Sequence, residues 1–261
     1  MQYIVIKAGG SVLSELPDSF YQNVLQLQEE YGLKPVIVHG GGPFISSLLD
    51  ILGVKTDFID GLRVTTEEVL DVVEMVLSGR VNKDVVRRLS KIGANAIGIS
   101  GVDANLIAAE PFGDQKLGYV GQVIGVNGAI IAQLCASNLI PVISPLGIDK
   151  EGQRYNINAD TAAGAIAREL QARLCFVSDI PGVYQERHNK KEIFPSLTKY
   201  QAEELIQCGV ITGGMIPKIR SAIDSLIHGV PEVVILDGFD SSSLIKFASG
   251  HHCGTRIISG G

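Results

Sequence analysis

Three glycine-rich segments each follow a short run of apolar, β-branched residues. They are K-A-G-G-S at residues 7–11, H-G-G-G-P at 39–43 and S-D-I-P-G at 178–182. In an open parallel sheet, ligands collect at the carboxyl ends of the strands, and glycine lets the backbone approach an anion closely. One such cluster is more often only a tight strand-to-helix turn. Three clusters along one sheet edge predict a binding site for an anion such as a phosphate.

Two lysines could bind that anion. Lys7 ends the first apolar run directly before the glycines, although a lysine alone would be taken as a surface residue. Lys218 follows Gly213, Gly214 and Pro217, where a helix is predicted to begin. A cation in a first helical turn opposes the helix dipole at a cost of ~0.3–1 kcal/mol, which sequences tolerate. An anion held between Lys218 and the free helix N–H groups would remove that conflict.

Two further polar residues have both a structural and a functional interpretation. Asp160 stands where a helix over 161–170 begins, after an N-cap predicted at Asn158, and an acid there is stabilising without any other role. Arg63 is a lone arginine in an apolar turn. Its guanidinium matches a carboxylate, but a surface or capping role is the alternative. The residues alone leave both assignments open.

Several function classes are excluded or disfavoured. The sequence has no G-x-x-x-x-G-K-[ST], G-x-S-x-G or H-E-x-x-H, and the spacing after His39 breaks a G-x-G-x-x-G fingerprint, which argues against a nicotinamide-dependent oxidoreductase. The four cysteines form no C-x-x-C pair, so we expect reduced thiols and no zinc site. A net charge of −6 without a basic tract argues against nucleic acid. The absence of signal-peptide features and of an apolar run of about 18 residues predicts a cytoplasmic protein with no membrane partner.

The elements that must position these residues alternate between strands and helices. Nearly continuous apolar runs predict buried strands at 3–7, 35–39, 96–100, 140–144, 173–178 and 232–237. Amphipathic stretches between them predict helices, one of them capped by Thr65 with Glu68 and another ended by Gly93. The predicted fold class is therefore α/β, a three-layer sandwich with a central, mostly parallel sheet and helices on both faces.

No linker or repeat divides the chain, which predicts a single domain over residues 1–261. Residues 53–63 and 105–126 are predicted to be irregular or hairpin-like insertions, and the polar segment 185–192 an exposed turn.

Taken in order, the motifs resemble the amino acid kinase family. They are K-x-G-G-S, H-G-G-G-P, G-L-R-V-T, N-I-N-A-D, S-D-I-P-G-V and T-G-G-M-I-P-K, and their spacing holds over essentially the whole chain. K-x-G-G alone also fits members that act on aspartate, glutamate, carbamate or uridylate. H-G-G-G with G-L-R-V-T and N-x-N-A-D resembles the members that phosphorylate N-acetyl-L-glutamate in arginine biosynthesis. The resemblance implies an ATP-dependent kinase acting on the side-chain carboxylate of that substrate.

The resemblance also implies roles for the matching residues. The implied catalytic residues are Lys7 and Lys218, which would stabilise the transferring phosphoryl group, and Asp160, which would hold both lysines rather than act as a base. The implied substrate-binding residues are Gly41, Gly42, Arg63 and Asn156. The implied ATP-binding residues are Gly9, Gly10, Asp179, Gly182, Thr212, Gly213 and Gly214. Backbone N–H groups of Gly10 and Gly41 would bind phosphoryl oxygens.

Further expectations concern the lobes, the metal and the assembly. The resemblance implies a substrate lobe over about 1–173 and a nucleotide lobe over about 174–261. Mg²⁺ would be held mainly by the nucleotide phosphates, with no metal site of the protein's own. Arginine-sensitive members carry an additional N-terminal helix that joins dimers into hexamers. Because the first strand begins by about residue 3, we expect a homodimer that arginine does not inhibit.

The proposed chemistry agrees with the absence of a catalytic base. A glutamate side chain has a pKa of about 4.3 and is already ionised at neutral pH. Positioning and charge stabilisation must then do the work, and an acyl-phosphate product favours a lid, for which 53–63 is the candidate. The alternatives are a kinase for another acidic amino-acid derivative, such as an aminoadipate conjugate, and a non-catalytic amino-acid sensor of the same fold.

Overall fold

The computed structural model describes residues 2–113, 115–187 and 190–258. The strands are β1 (Tyr3–Ala8), β2 (Lys34–His39), β3 (Phe58–Ile59), β4 (Leu62–Arg63), β5 (Ala96–Ser100), β6 (Ile107–Pro111), β7 (Val120–Val126), β8 (Ile140–Ser144), β9 (Leu146–Ile148), β10 (Arg154–Ile157), β11 (Arg173–Ser178), β12 (Tyr184–Arg187), β13 (Lys190–Ile193), β14 (Ser196–Thr198), β15 (Val233–Asp237) and β16 (Thr255–Ile258). The α-helices are α1 (Gly10–Leu13), α2 (Asp18–Glu29), α3 (Gly42–Leu52), α4 (Glu67–Glu74), α5 (Asn82–Lys91), α6 (Gly128–Ala136), α7 (Ala159–Glu169), α8 (Lys199–Gln207), α9 (Met215–Ile227) and α10 (Ser243–Ala248). A π-helix (Met75–Val81) joins α4 to α5, and 3₁₀ turns cover Asp103–Asn105 and Gln115–Leu117.

An eight-stranded sheet forms the centre, in the order β14-β16-β15-β11-β1-β2-β8-β5. Every pairing in it is parallel except that of β15 with β16. All six strands predicted from apolar runs lie in this sheet. Five of the six strands are almost continuously buried because helices cover both faces, whereas the edge strand β5 is mostly half-buried. The predicted fold class is confirmed.

Alternate residues of β1 belong to different cores. Ile4 and Ile6 face a core with helices α2 to α5 and α10, whereas Val5 faces a core with helices α6 to α9. β1 is flanked by β2 and β11, so its carboxyl end lies in the middle of the sheet edge. The residues after β1, β2 and β11 are therefore brought together, as the glycine clusters predict.

Smaller β-structures stand beside the central sheet. The predicted insertion 53–63 contains the hairpin β3–β4, and 105–126 contains the antiparallel pair β6–β7. The latter pair closes into a small barrel with β9 and β10, which the sequence did not indicate. Within the polar segment 185–192, residues 185–187 pair with residues 190–192 in the antiparallel strands β12 and β13. The prediction of an exposed turn falls on residues 188 and 189, which lie outside the described residues.

Two predicted helix ends are confirmed and one is wrong. Asn158 caps α7, and Gly93, at φ +89°, follows the end of α5. The predicted capping box of Thr65 with Glu68 is displaced, because Thr66 is the N-cap of α4 and accepts from Val69 N at 3.3 Å. Thr65 is fully buried, with its backbone bonded to residues 117 and 119, so the helix begins one residue later. Within the described residues, the helices are too short or too polar to cross a bilayer.

Candidate active site

A buried ion pair lies at the centre of the sheet edge. Lys7, at the end of β1, is 7% exposed, and its Nζ is 2.6 Å from Asp160 Oδ1. Asp160 is in the first turn of α7, where the Asn158 side chain accepts from the backbone N–H of Asp160 at 2.8 Å and of Thr161 at 3.2 Å. A buried charge needs a partner, and the N-cap holds the carboxylate where Lys7 reaches it.

Lys218 lies near this pair, in the first turns of α9. Burial lowers the pKa of Lys218, the positive charge of Lys7 lowers it further, and Asp160 and Asp179 oppose the shift. Within the described part of the chain, no acidic group lies within 4.0 Å of its ammonium. Two ammonium groups that repel each other, with one carboxylate directly paired, leave a position where an anion would be stabilised.

Two glycine loops touch at the same place. A Cβ atom on Gly10 would lie 2.7 Å from both Cα and N of Gly41, so the loops after β1 and β2 are in backbone contact. A Cβ on Gly41 would in turn lie 2.5 Å from Leu77 Cδ2. Among the described residues, the N–H groups of Gly10 and Gly41 have no hydrogen-bond acceptor. Glycine is needed here for close approach, and the free N–H groups suit an anion.

A larger cavity of about 930 Å³ opens on one side of the ion pair. It is lined by all three implied catalytic residues, Lys7, Asp160 and Lys218. Its wall also contains five of the implied ATP-binding residues, Gly9, Gly10, Asp179, Thr212 and Gly214.

Two implied ATP-binding glycines lie outside this lining. Gly182 is buried at φ +142°, and a Cβ there would be 2.8 Å from Thr255 Oγ1. Gly213, at φ +55°, is exposed before α9. Their positive φ angles suit glycine, so both residues shape the loops that carry their neighbours into the wall.

A smaller cavity of about 240 Å³ opens on the other side. It is lined by all four implied substrate-binding residues, Gly41, Gly42, Arg63 and Asn156. Both cavities include Lys7, Gly10 and Asp160 in their linings. The ion pair is therefore the boundary between two adjoining binding spaces.

Arg63 has an unsatisfied nitrogen in the smaller cavity. Its Nη2 donates to Gly42 O at 3.2 Å and to Ser46 Oγ at 2.8 Å, and its guanidinium stacks 4.7 Å from the Phe58 ring centre. Nη1 is buried and has no partner. Burial lowers the pKa of Arg63, because the charged guanidinium loses solvation. An anionic oxygen at Nη1 would satisfy both the hydrogen bond and the charge.

A hydrogen-bonded chain connects Asn156 with Arg63. Asn156 Nδ2 donates to Thr65 Oγ1 at 3.1 Å, and this hydroxyl donates to the Arg63 carbonyl at 2.8 Å. Asn156 is held in the barrel by the pairing of β10 with β7 and β9. The bond to Thr65 uses one amide hydrogen, so the amide keeps a donor and an acceptor for a ligand.

Several lining residues were not identified from the sequence. Leu77 of the π-helix and Phe58 of β3 line the smaller cavity, and Tyr184 and Gln185 of β12 line the larger one. Within the described residues, no group of three or more His, Cys, Asp or Glu side chains is placed to hold a metal.

Comparisons with known proteins identify the family of the chain. The sequence profile described as "Amino acid kinase family" matches residues 2–237. Proteins named acetylglutamate kinase are 49% identical over 257 residues in Oceanobacillus iheyensis (98% of this chain, 97% of the relative) and 50% identical over 236 residues in Geobacillus thermodenitrificans (90% of each). A crystal structure of a Streptococcus mutans protein superposes with a TM-score of 0.85 at 32% identity, covering 99% of both chains.

Proposed function

Because the chain belongs to the amino acid kinase family, we propose that it transfers the γ-phosphoryl group of ATP to the side-chain carboxylate of N-acetyl-L-glutamate. The products are N-acetyl-L-glutamyl 5-phosphate and ADP, as an early step of arginine biosynthesis. The observation that carries this proposal is the meeting of two cavities at the Lys7–Asp160 ion pair, beside the unpaired charge of Lys218.

The reaction is an in-line displacement at phosphorus. A side-chain carboxylate oxygen forms a bond to the γ-phosphorus, and the bond from this phosphorus to the β,γ-bridging oxygen breaks. The electron pair of that bond leaves with ADP. No proton is transferred, since the carboxylate is already ionised at neutral pH. Asp160 has no role as a base, because its carboxylate is committed to Lys7.

The obstacle is repulsion between an anionic nucleophile and an anionic phosphate. Lys7 and Lys218 place positive charge where negative charge spreads over the transferring group. The N–H groups of Gly10 and Gly41 point from two touching loops, and both are free to donate to phosphoryl oxygens. Asp160 acts as a positioning residue that holds Lys7.

ATP occupies the larger cavity in this proposal. Its volume of about 930 Å³ is within the range typical of small-molecule sites. The wall comes mainly from residues after 174, which supports a nucleotide lobe over about 174–261 and a substrate lobe over about 1–173. The loop 212–214 directly precedes α9, so phosphate groups near it also face the positive end of the dipole of that helix.

The donors in the larger cavity fit Mg²⁺ bound mainly through the nucleotide. Mg²⁺ retains water and takes only one or two protein carboxylates, and the exposed Asp179 offers such an oxygen while Asp160 is paired with Lys7. When bound, Mg²⁺ would neutralise part of the charge on the β- and γ-phosphates.

N-Acetyl-L-glutamate occupies the smaller cavity. Arg63 Nη1 would bind its α-carboxylate, and the Asn156 amide would bind its acetamide group. The hairpin β3–β4, which carries Phe58 and Arg63, covers this cavity and is the lid of the proposal. A lid is useful because an acyl phosphate hydrolyses in water.

Hydroxylamine trapping tests this function directly. The purified protein with ATP, Mg²⁺ and N-acetyl-L-glutamate should release ADP and form the hydroxamate of the acyl phosphate. Parallel reactions should contain N-acetyl-L-aminoadipate, glutamate, aspartate or carbamate. Faster turnover of the aminoadipate conjugate would favour the alternative acidic substrate, and binding without any hydroxamate would favour a sensor.

We also propose that the protein acts in the cytoplasm as a homodimer. The described cysteines are free thiols, in keeping with a reducing compartment. Ile51 and Leu52, at the carboxyl end of α3, are exposed apolar side chains that a second copy would cover. Light scattering coupled to size-exclusion chromatography should give twice the mass of one chain, and a monomer would contradict the assembly.

A further inference from the structure

A fully buried histidine stands directly behind the glycine loop 40–42. His39 is the last residue of β2, and its ring faces two partners rather than either cavity. Nδ1 lies 3.1 Å from the carbonyl oxygen of Gly40, and Nε2 lies 3.2 Å from Asn82 Nδ2. The histidine therefore joins the loop to a residue 43 positions away in the chain.

The amide of Asn82 determines which ring nitrogen carries the proton. Its nitrogen lies 2.9 Å from Val142 O and 3.3 Å from Ile99 O, and its oxygen accepts from Lys83 Nζ at 3.0 Å. Two carbonyl neighbours require the NH₂ group at this position. An amide nitrogen cannot accept a hydrogen bond, so a proton on His39 Nε2 would have no acceptor there. The proton of the neutral ring is therefore on Nδ1, and Nε2 shares the two hydrogens of Asn82 Nδ2 with the two carbonyl oxygens.

The Nδ1 proton then restrains the loop. Nδ1–H donates to the Gly40 carbonyl, which fixes the orientation of the peptide that enters Gly41. Burial lowers the pKa of His39 to about 4, so the ring is neutral at physiological pH, as this arrangement requires. The backbone of Gly40 also lies close to the neighbouring anion loop, because a Cβ on Gly40 would be 3.2 Å from Gly10 N.

The π-helix places Asn82 behind this loop. The backbone N–H of Asn82 bonds to Leu77 O, five residues earlier, and such spacing brings residues four and five apart onto one face. Leu77 packs against Gly41, whereas Asn82 bonds to His39. One helical turn thus contacts both the front and the back of the same loop.

We propose that His39, with its tautomer set by Asn82, is a positioning residue for phosphoryl transfer that holds the Gly41 N–H toward the transferring group through the Gly40 carbonyl. This inference rests on the proposed function. It assigns His39 and Asn82 no contact with either substrate. They act on turnover through the loop and leave ATP binding unchanged.

Two substitutions at His39 separate positioning from packing. His39→Asn places an amide N–H near the position of Nδ1 and keeps the bond to Gly40, but it leaves a void beside Asn82. His39→Gln reaches Asn82 and fills more volume, but it has no donor for Gly40. Packing alone predicts that the asparagine variant is the more damaged one. Positioning predicts the opposite order for kcat.

The experiment measures kcat, the KM for both substrates and the melting temperature of both variants. We expect kcat to fall about tenfold in His39→Gln and to stay within about twofold in His39→Asn, with the KM for ATP unchanged and His39→Gln melting at the higher temperature. Equal kcat values, the reverse order of kcat, or unfolding of both variants at the assay temperature would overturn the proposal.

A second measurement does not depend on turnover. In protein with ¹⁵N-labelled histidine, the His39 ring should show a protonated Nδ1 and an unprotonated Nε2, assigned by loss of its signals in His39→Gln. An Nε2–H tautomer would overturn this inference even if the kinase is active. An inactive wild-type protein with the Nδ1–H tautomer would instead contradict the proposed function alone.

Discussion

The two cavities on either side of the Lys7–Asp160 ion pair are built differently. Arg63 and Thr65 beside the smaller cavity are buried and hydrogen-bonded to each other, and His39 behind it is buried and hydrogen-bonded to Gly40 and Asn82. Asp179 and Thr212 in the wall of the larger cavity are exposed on loops. Buried, cross-bonded groups keep their geometry without a ligand, whereas exposed loops have few contacts to restrain them. The comparison indicates that the side chains around the smaller cavity are already in place with the hairpin β3–β4 covering it, whereas the larger cavity is completed by the nucleotide.

The two lysines show the same contrast. Lys7 is neutralised by Asp160 at 2.6 Å, so its charge is part of the folded framework. Lys218 is half-buried without a described ion pair, and its pKa is lowered by the partial loss of solvent and by the charge of Lys7. The charge of Lys218 therefore remains available for the phosphates of the nucleotide.

The largest expected effect is at Lys218. Lys218→Ala should lower kcat by roughly 10²–10³, because one charge opposite the transferring group is lost. The free energy of unfolding should not decrease, since no ion pair is broken. Hydroxamate formation and urea unfolding measure the two quantities.

Lys7→Ala is the matched comparison, and exposed Lys199→Ala is the control. Lys7→Ala should also destabilise the fold, because it leaves Asp160 buried without a partner. Lys199, on α8, lines neither cavity and should leave kcat unchanged. Equal destabilisation by Lys218→Ala and Lys7→Ala would contradict the proposal that only Lys7 stabilises the fold through an ion pair.

Arg63→Lys should raise the KM for N-acetyl-L-glutamate roughly 10- to 100-fold and leave the KM for ATP within about twofold. Lysine cannot reproduce the guanidinium fork that bonds Gly42 and Ser46 while presenting Nη1 to a carboxylate. Arg80→Lys is the control, because Arg80 also stacks on an aromatic ring, that of Phe44 at 4.9 Å, but is exposed and lines neither cavity. Similar kinetics for the two variants would show that Nη1 does not bind the substrate.

Substitutions at two neighbouring threonines distinguish an effect on substrate binding from an effect on stability. Thr65→Val removes the hydroxyl between Asn156 and Arg63, and should raise the KM for N-acetyl-L-glutamate about fivefold. Thr66→Ala removes the cap of α4, and should lower the free energy of unfolding by about 1 kcal/mol without changing that KM. Steady-state kinetics and urea unfolding of both variants test these two expectations. An unchanged KM in Thr65→Val would show that the Thr65 hydroxyl does not contribute to binding of N-acetyl-L-glutamate.

The smallest expected effect is a shift in the pH at which activity falls on the alkaline side. Phosphoryl transfer needs protonated Lys218, whose pKa in the folded protein lies below the ordinary value, so kcat/KM for ATP should fall on the alkaline side at a lower pH than about 10.4. Bound phosphates favour the charged ammonium, which should move the alkaline limb of kcat to higher pH than that of kcat/KM. Lys218→Arg should shift both limbs upward. Identical limbs in the wild type and Lys218→Arg would assign the limb to another group.

The sequence predicts the residues that line the site better than the residues that hold them in place. Lys7 and the glycine loops follow from parallel topology, which places the ends of β1, β2 and β11 together. Asn82 precedes Lys83 and Asp84 and reads as a surface residue at the start of a helix. It is fully buried because the π-helix shifts its register, and that shift depends on packing against β2, β5 and β8, far away in the chain. The one-residue error at Thr65 has a similar origin, since its contacts with residues 117 and 119 are tertiary.

The most direct measurement is a crystal structure with ADP, Mg²⁺, N-acetyl-L-glutamate and an aluminium fluoride mimic of the transferring group. We expect the mimic to lie between the cavities, within about 2.7–3.1 Å of Lys7 Nζ, Lys218 Nζ and the N–H groups of Gly10 and Gly41. A mimic bound away from either ammonium group, or a carboxylate of N-acetyl-L-glutamate that does not point at it, would contradict the account.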